Sequence, residues 1–249
     1  MLASLKLVFR EYFPTENVTN SAPLDGRLRP IRSYVRRFGR ITRAQRLALD
    51  RHWSRYGIDA TDILDLDRIF GRRVPRYLEI GFGMGDMLIQ MASAHPERDY
   101  LGIEVYAPGI GRLLGQLAKL DIHNVRGVRG DANDVLARLV PDQSLDGVFI
   151  FFPDPWPKRR HHKRRLVQRP FMSLVSAKLR FRGVCHIVTD VEDYAQHMLG
   201  VLEQENTLRN LAERGGFSPR PPDRPLTKFE RRGLELGHSV WDMMFARRD

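Results

Sequence analysis

From residue 77 onward the chain alternates between short apolar segments and longer helix-like segments, and this alternation restricts the fold more than any other feature. Strand-like segments lie at residues 77–80, 99–104, 124–128, 146–152 and 183–189. Helix-like segments lie at residues 85–94, 107–120, 132–139, 164–180 and 191–205. Helices between successive strands return the chain to the same end of a sheet, so the strands pair in parallel. The sequence therefore predicts an α/β fold, with helices on both faces of a mostly parallel central sheet.

Two further elements are predicted on either side of this pattern. Thr42 and Gln45 form a T-x-x-Q capping box, which predicts a helix that runs to about Tyr56. Residues 239–246, SVWDMMFA, are predicted to form another strand, antiparallel at the edge of the sheet. A chain of 249 residues is long enough for one domain of this kind. We therefore expect a single domain over residues 41–249.

Residues 1–40 differ from the rest of the chain because they lack periodicity and are rich in arginine. Arginine occupies positions 27, 29, 32, 36, 37 and 40. Over the whole chain, Lys and Arg outnumber Asp and Glu by 41 to 30, which gives a net charge of +11. Such an excess favours a polyanionic partner. We expect a poorly ordered basic arm that either binds nucleic acid or is only a solvated tail.

Cysteine usage and hydropathy exclude several other classes of protein. The single cysteine, Cys185, allows no disulfide framework within the chain and no metal-type cysteine spacing. The N-terminal segment MLASLKLVFREYFP is too short and too charged for a membrane span or a secretory signal. His161 and His162 lie among cations, which disfavour a metal ion there. The sequence predicts a soluble cytoplasmic protein with no bound metal and no membrane contact.

The first predicted strand ends in a glycine-rich turn, EIGFGMGD, at residues 79–86. Gly81, Gly83 and Gly85 let the backbone turn tightly and approach a ligand just before a helix N-terminus. The spacing is G-x-G-x-G, whereas a dinucleotide site has G-x-G-x-x-G. Glu79 would repel a pyrophosphate, but it could accept hydrogen bonds from the cationic amino-acid part of a ligand. By itself, such a turn is also compatible with a purely structural role.

Acidic residues also follow the next two predicted strands. Glu104 lies nineteen residues after Gly85, where an acid binds the ribose hydroxyls of an adenosine ligand. Asp131, Ala132 and Asn133 follow the third strand and offer a carboxylate and an amide to an adenine edge. Each acid alone could equally be a helix N-cap or a surface charge. Together, and without a phosphate site, they favour S-adenosylmethionine over NAD as the ligand.

The fourth predicted strand leads into FFPDPWPKRRHHKRR, at residues 151–165. Prolines on both sides of Asp154 restrict the backbone and thereby fix the carboxylate. Guanine presents N1–H and N2–H₂ as adjacent donors that one carboxylate can accept together, whereas adenine lacks this pair. Trp156 either packs on a base or wedges the loop into the fold, and we favour the packing role. Six cations could bind phosphates while Asp154 contacts the base, although the last two could face away from the cleft: Lys158, Arg159, Arg160, Lys163, Arg164 and Arg165.

With these motifs, the chain resembles the bacterial tRNA (guanine-N7-)-methyltransferases over about residues 28–247. The matching blocks are RPIRSYVRRFGR, LEIGFGMGD, YLGIEVYAPGIG, GDANDVL, FFPDPWPKRRHHKRR, TDVEDYA and TKFERRGLELGHSVWDMMF. The last three blocks are far more specific than the glycine turn. The resemblance implies a class I S-adenosylmethionine-dependent methyltransferase with a Rossmann-like fold. Its implied activity is methylation of N7 of a guanine in the variable loop of tRNA.

The resemblance also implies roles for individual residues. Glu79, Glu104 and Asp131 would contact the methyl donor, with Asn133 close to it, and Asp154 would be the active-site acid. The substrate would be bound by Lys158, Asp190, Thr227, Lys228, Phe229 and Glu230. Residues 1–26 show no usable match, so their role stays open. The bacterial resemblance further favours a protein that acts without an obligate protein partner, as a monomer or a homodimer.

The chemistry of such a reaction depends more on alignment than on proton transfer. Guanine N7 has a free lone pair, so it attacks a sulfonium methyl group without prior deprotonation. The enzyme has to bring the nitrogen, carbon and sulfur atoms into line. Methylation leaves positive charge on the base, which Asp154, and in a further role Asp190, would stabilise electrostatically. Proton abstraction by Asp154 is a secondary alternative, and Asp190 could instead cap the helix beginning at Val191.

Three other functions compete with this interpretation. Amino-group methyltransferases carry a similar D-P-P-aromatic sequence at this strand end, but here the order is D-P-W-P. A non-catalytic RNA-binding protein on a decayed fold would not need acids at every strand end. A nicotinamide enzyme is disfavoured by Glu79 and by the glycine spacing. The basic segment after Asp154 favours an RNA substrate, which is further evidence against the amino-group methyltransferases.

Overall fold

The computed structural model describes residues 32–34, 40–226, 228–235, 237 and 239–249, without the side chains of Lys228, Phe229 and Arg232. Residues 33–249 form one unit. Most of the predicted N-terminal arm at residues 1–40 lies outside the described residues, so its disorder and its role stay predictions.

Within the described residues, seven strands form one sheet with the order β3-β2-β1-β4-β5-β7-β6. Their bounds are β1 Arg76–Ile80, β2 Asp99–Glu104, β3 Val125–Arg129, β4 Leu145–Phe151, β5 Leu179–Thr189, β6 Leu208–Asn210 and β7 Trp241–Arg247. Strands β1 to β5 pair in parallel, and β7 is antiparallel to both β5 and β6. The predicted α/β fold with antiparallel pairing at the edge is confirmed, and the short β6 covers the outer side of β7.

Eight α-helices surround the sheet in the part of the chain that the structure describes. Their bounds are α1 Arg43–Tyr56, α2 Leu66–Phe70, α3 Asp86–Ala94, α4 Ala107–Lys119, α5 Ala132–Arg138, α6 Arg169–Lys178, α7 Glu192–Glu203 and α8 Lys228–Glu235. A 3₁₀ turn at Arg159–Arg164 follows β4. None of the helices in the described ranges has the length and apolar character needed to cross a membrane.

Two apolar clusters, one on each face of the sheet, hold these layers together. On one face, Leu113 of α4 packs with Leu49 of α1 and Leu88 of α3, and all three are buried. On the other face, Leu78 of β1 packs with residues of α5, α6 and α7, such as Phe171. Because alternate side chains of a strand point to opposite faces, a strand covered on both sides is apolar throughout.

The capping box and the helix that it begins are as predicted. The backbone amide of Gln45 donates to the Thr42 hydroxyl at 3.2 Å, and the Thr42 amide donates to the Gln45 side chain at 2.9 Å. The helix α1 ends at Tyr56, and Gly57 is its C-cap. These reciprocal bonds satisfy two amide groups that the first turn of a helix leaves unpaired.

The predicted helix over residues 164–180 was wrong at both of its ends. The chain leaves the 3₁₀ turn after Arg164, and α6 begins only at Arg169. Pro170 explains this start, because its ring lacks an amide hydrogen and fits only the first turn of a helix. At the other end, β5 begins at Leu179, four residues earlier than predicted.

The order of the strands places the functional edge of the sheet. Strand β1 has β2 on one side and β4 on the other, so the direction of winding reverses between β1 and β4. Ligands of open α/β sheets bind at this switch point, beyond the carboxyl ends of the strands. The glycine turn after β1 and the Asp154 loop after β4 both lie at this edge.

Candidate active site

The glycine turn after β1 has the backbone conformation that only glycine adopts freely. Gly81, Gly83 and Gly85 have φ angles of 73°, 56° and 79°. The turn also lies directly against α4, because a Cβ atom at Gly109 would lie only 2.0 Å from the carbonyl oxygen of Gly83. Two glycines in contact thus bring the N-terminus of α4 against the turn, which leaves no room for a side chain between them.

Glu104 ties the glycine turn to the beginning of α4. Its Oε2 atom accepts a hydrogen bond from the amide of Gly83 at 2.8 Å. Its Oε1 atom accepts from the amides of Val105 and Tyr106 at 2.7 and 2.9 Å. Burial raises the pKa of Glu104, although these three backbone donors favour its charged form. Each carboxylate oxygen has two lone pairs, so Oε2 retains acceptor capacity for a ligand hydroxyl.

Glu79 is the most strongly perturbed acid of this edge. Only 3% of its surface is exposed, and burial together with the negative charge of Glu104 raises its pKa to about 8. Within the described part of the chain, its Oε2 atom has no hydrogen-bond partner. A buried polar atom without a partner is costly, and a carboxyl group in this state gains most from a cationic ligand.

An arginine that the sequence analysis did not select braces the far side of the glycine turn. Arg112, on α4, donates to the carbonyl oxygen of Met84 at 2.5 Å and to the Asp86 carboxylate at 2.6 Å. One guanidinium group therefore holds two points of the turn at once. Positions 84 and 112 are far apart in the sequence, and no local pattern predicts this contact.

The acid after β3 has a structural role in the fold. Asp131 is the N-cap of α5, and its Oδ1 atom accepts from the amide of Asn133 at 3.0 Å. The N-cap alternative that the sequence left open is therefore real. Ala132 is the first residue of α5, and Asn133 is exposed. A capping bond through Oδ1 leaves the other oxygen available, so contact of Asp131 and Asn133 with an adenine stays a prediction.

The Asp154 loop is held in a strained conformation. Phe152 and Trp156, on either side of Asp154, have positive φ angles of 50° and 48°, which residues other than glycine rarely adopt. Such strain is concentrated at functional sites, where the surrounding structure enforces it. Burial is the main cause that raises the pKa of Glu104 and of Tyr194, and the negative charge of Asp154 adds to it. Asp154 therefore lies within electrostatic reach of Glu104, the acid at the end of β2.

Arg165 provides part of the structure that enforces this strain. Its Nε atom donates to the carbonyl oxygen of Pro155 at 3.0 Å, and its guanidinium group pairs with Asp193 of α7. The same group lies 4.7 Å from the ring centre of Tyr194, and only 3% of Arg165 is exposed. Arg165 is thus a buried brace between the loop and α7, and it is not available to bind phosphates.

Trp156 wedges the Asp154 loop into the fold, which is the alternative that the sequence analysis did not favour, and packing on a base stays a prediction. Its Nε1 atom donates to the carbonyl oxygen of Ser33 at 3.1 Å. The guanidinium group of Arg164 lies 4.6 Å from the ring centre, and His161 meets the ring edge-on at 5.8 Å. Burial and the surrounding cations lower the pKa of His161, which keeps its imidazole neutral near pH 7.

Apart from Arg164 and Arg165, the cations at the 3₁₀ turn face solvent. All four are exposed, and none forms an ion pair with a described residue: Lys158, Arg159, Arg160 and Lys163. Because they follow the Asp154 loop directly, they surround its outer side with uncompensated positive charge. Among the described residues, no group of three or more His, Cys, Asp or Glu side chains could hold a metal ion.

The helix-capping alternative for Asp190 was wrong. Val191 occupies the N-cap of α7, which begins at Glu192, and no side chain caps this helix. The amide of Val191 instead donates to the hydroxyl of Thr189 at 3.3 Å. Asp190 follows β5 directly and forms no hydrogen bond or ion pair with the rest of the described chain. Its carboxylate therefore remains available at the carboxyl edge of the sheet.

The predicted substrate segment at residues 227–230 is described only in part. Thr227 lies outside the described residues, and so do the side chains of Lys228 and Phe229. Glu230 is described and is only 2% exposed, with both carboxylate oxygens bound by Arg224. Direct contact of these residues with the substrate therefore stays a prediction.

Comparison with known proteins agrees with this geometry. A family model described as a putative methyltransferase matches residues 73–243. The chain is 55% identical over 224 residues to a tRNA (guanine-N(7)-)-methyltransferase of Alkalilimnicola ehrlichii, which covers 89% of this chain and 94% of that protein. It is 50% identical over 240 residues to a protein of the same name from Stutzerimonas stutzeri, with 96% and 99% covered.

Solved structures add a likeness in fold alone. The crystal structure of the 16S rRNA methyltransferase KamB aligns with a TM-score of 0.54 at 13% identity, over 78% of this chain and 98% of that chain. The identities above 50% over about nine-tenths of the chain are far more specific, and they confirm the resemblance carried by the sequence motifs. The chain belongs to the family of the tRNA (guanine-N7-)-methyltransferases.

Proposed function

We propose that this protein transfers a methyl group from S-adenosylmethionine to N7 of a guanine in the variable loop of tRNA. The observation that carries this proposal is one arrangement at the carboxyl edge of the sheet. Two buried acids, Glu79 and Glu104, flank a glycine turn, and the strained Asp154 loop lies beside them. An exposed group of cations follows that loop.

The residues at the glycine turn fit the methyl donor. The unpartnered Oε2 atom of Glu79 suits an ammonium group, which is the cationic end of an amino-acid ligand. The remaining acceptor capacity of Glu104 suits the hydroxyls of a ribose. Asp131 and Asn133 follow β3 and would contact the adenine, while Gly81 to Gly85 allow close approach of the backbone. When bound, the donor supplies an electrophilic methyl group.

The Asp154 loop and the cations would recognise the RNA. The Asp154 carboxylate would accept hydrogen bonds from N1–H and N2–H₂ of a guanine and so discriminate against adenine. Phosphates near the base would bind Lys158, Arg159, Arg160 and Lys163, which have no acidic partner among the described residues. Asp190 lies at the next strand end and would approach the base from the side of β5.

The lone pair of guanine N7 forms the new bond to carbon while the carbon–sulfur bond breaks and its electron pair stays on sulfur. No proton moves in this step, so the protein mainly aligns the reacting atoms. The purine becomes positively charged, and Asp154 stabilises this charge as it develops. The strained, braced loop suits that role because a fixed carboxylate need not reorganise during the reaction.

The product identifies the function. Purified protein is incubated with S-adenosylmethionine and unmodified tRNA, and the tRNA is digested and analysed by mass spectrometry. We expect 7-methylguanosine in the digest, located in the variable loop by sequencing of the fragments. N6-methyladenosine would indicate an amino-group methyltransferase, and S-adenosylmethionine binding without any methylated nucleoside would indicate a non-catalytic RNA-binding protein.

The proposal also covers protein partners and the basic N-terminal arm at residues 1–40. We propose that the protein needs tRNA but no obligate protein partner, as a monomer or a homodimer in the cytoplasm. Residues 1–40 would add electrostatic contacts to the tRNA, since their arginines have the charge for it. Removal of residues 1–26, which lie outside the matching sequence blocks, should leave methyl transfer to a saturating concentration of tRNA unchanged.

A further inference from the structure

Four buried titratable side chains form a connected network beneath the carboxyl edge of the sheet. They are His186 of β5, Asp242 of β7, Glu230 of α8 and Arg224, which precedes α8 by four residues, and each is at most 4% exposed. The Nε2 atom of His186 lies 2.7 Å from Oδ1 of Asp242. The Nε atom of Arg224 lies 3.0 Å from the same oxygen, and its Nη1 atom donates to Oε2 of Glu230 at 2.8 Å.

The pairing of the strands places this network next to the candidate active site. Asp242 pairs with Val188 of β5, and Val188 pairs with Phe151 of β4. Asp154 follows Phe151 by three residues, and Asp190 follows Val188 by two. The ring of His186 also packs edge-on against Phe151, with 5.1 Å between the ring centres. The network therefore lies in the layer from which both acids of the reaction edge emerge.

Stability alone does not account for a network of this kind. Removing several charges from water is costly, and apolar side chains of similar volume often stabilise a fold equally well. A planar guanidinium group, in contrast, fixes two carboxylates at a defined distance and angle. Arg224 contacts both Asp242 of the sheet and Glu230 of α8, so it links α8 to β7.

We propose that Arg224 is a positioning residue for RNA binding, which holds α8 in register with the Asp154 loop through its ion pairs to Glu230 and Asp242. Glu230 then acts through Arg224 and not through direct contact with the RNA. The inference rests on the proposed function, because it requires RNA to bind between α8 and the Asp154 loop. Arg220, whose Nε atom lies 3.5 Å from Glu230, is an outer member of the same network.

The first test replaces Arg224 by Lys, which keeps the charge but loses the planar fork. A single ammonium group cannot align both carboxylates, so α8 should shift relative to the loop. We expect kcat/KM for tRNA to fall by about tenfold or more, mainly through a higher KM, because small misplacements of binding groups have effects of this size. Donor binding, measured by calorimetry, should stay within about twofold of the unaltered protein.

The matched control is Arg76→Lys. Arg76 is also a buried arginine, 7% exposed, and it pairs with Asp67 at the opposite end of the sheet. We expect a similar fall in the midpoint of thermal unfolding but an unchanged KM for tRNA. If Arg76→Lys raises KM as much as Arg224→Lys does, general destabilisation explains the effect and the proposal is wrong.

A second variant tests the ion pair between Arg224 and Asp242, and it replaces the first test if Arg224→Lys does not fold. Asp242→Asn keeps the shape of the side chain but weakens its pairing with Arg224. We expect it to raise KM for tRNA as well, and the double variant should show less than the product of the two effects, because both act through one network. Multiplicative effects, or an unchanged KM in either folded variant, would overturn the proposal. If the unaltered protein forms no 7-methylguanosine, the proposed function itself fails.

Discussion

Binding of the methyl donor at pH 7 should release close to one proton from Glu79. Burial and the charge of Glu104 raise the pKa of this residue from 4.5 to about 8 in the protein without donor. A shift of this size corresponds to about 5 kcal/mol of preference for the neutral acid. At pH 7, one unit below this pKa, about nine in ten molecules carry the proton. An ammonium group beside the carboxylate reverses the preference, so the proton leaves as the donor binds.

The release of this proton also sets the pH dependence of donor affinity. Between pH 6 and pH 7, both values lie below the pKa of Glu79, which is about 8. Each binding event must then release a proton, so the association constant should rise close to tenfold per pH unit. The amino group of the donor, with an ordinary pKa of about 8, stays mostly protonated over the same interval.

Calorimetry in two buffers with different enthalpies of ionisation measures the released protons directly. The difference between the observed binding enthalpies, divided by the difference between the buffer enthalpies, gives their number. We expect about 0.8 protons at pH 7 for the unaltered protein, because Glu79 releases about 0.9 and the donor's amino group takes up about 0.1. Glu79→Gln should bind the donor more weakly and release almost none, whereas Glu97→Gln, a change at an exposed acid, should behave like the unaltered protein. A buffer-independent enthalpy for the unaltered protein would refute this account of Glu79.

Other predictions concern the packing of the turn and the reacting base. Gly109→Ala should abolish donor binding, because its Cβ atom would lie 2.0 Å from the backbone oxygen of Gly83, as equilibrium dialysis would show. Gly200→Ala, in the interior of α7 with no atom within 4 Å of the added carbon, should instead raise the free energy of unfolding by about 1 kcal/mol in denaturant titrations. Asp154→Asn should slow single-turnover methylation by about ten- to a thousandfold with donor binding unchanged, and an unaltered rate would reduce Asp154 to a turn residue. The free energy of unfolding should fall as pH rises from about 4.5 towards 8, since the folded state keeps the Glu79 proton, and Glu79→Gln should reduce this slope.

Much of the fold could be predicted because strand and helix periodicities are local properties. The strand β2 was predicted with its observed bounds, residues 99–104, and the capping box at Thr42 marks the beginning of α1. The elements that were not predicted are short. The helix α2 has five residues, β6 has three and α8 has eight, too few for a periodic pattern to stand out.

The candidate site divides in the same way. Acids at the carboxyl ends of β1 and β2, and after β4, could be selected because a parallel sheet brings its strand ends together, whatever lies between them in the sequence. The arginines that support the site could not be selected. Arg112, Arg165 and Arg224 resemble every other arginine in a basic chain, and only the folded structure shows that Arg165 and Arg224 are buried. Their partners lie between six and 28 residues away in the sequence.

The movement of positive charge during methyl transfer explains why acids lie at the carboxyl edge of the sheet. Before the reaction the positive charge is on sulfur, and afterwards it is on the purine, a few bond lengths away. After burial, the charge of Asp154 is one of the causes that raise the pKa of Glu104. Under the proposed function, the two acids would compensate the positive charge before and after the transfer. The RNA phosphates would require the opposite sign, and the exposed cations after the loop would provide it. A carboxylate that moved freely would have to reorganise as the charge moved, which would raise the barrier. Under the proposed function, the brace by Arg165 and the strained backbone at Phe152 and Trp156 would restrict such movement, and the cost of the strain would be offset in the transition state.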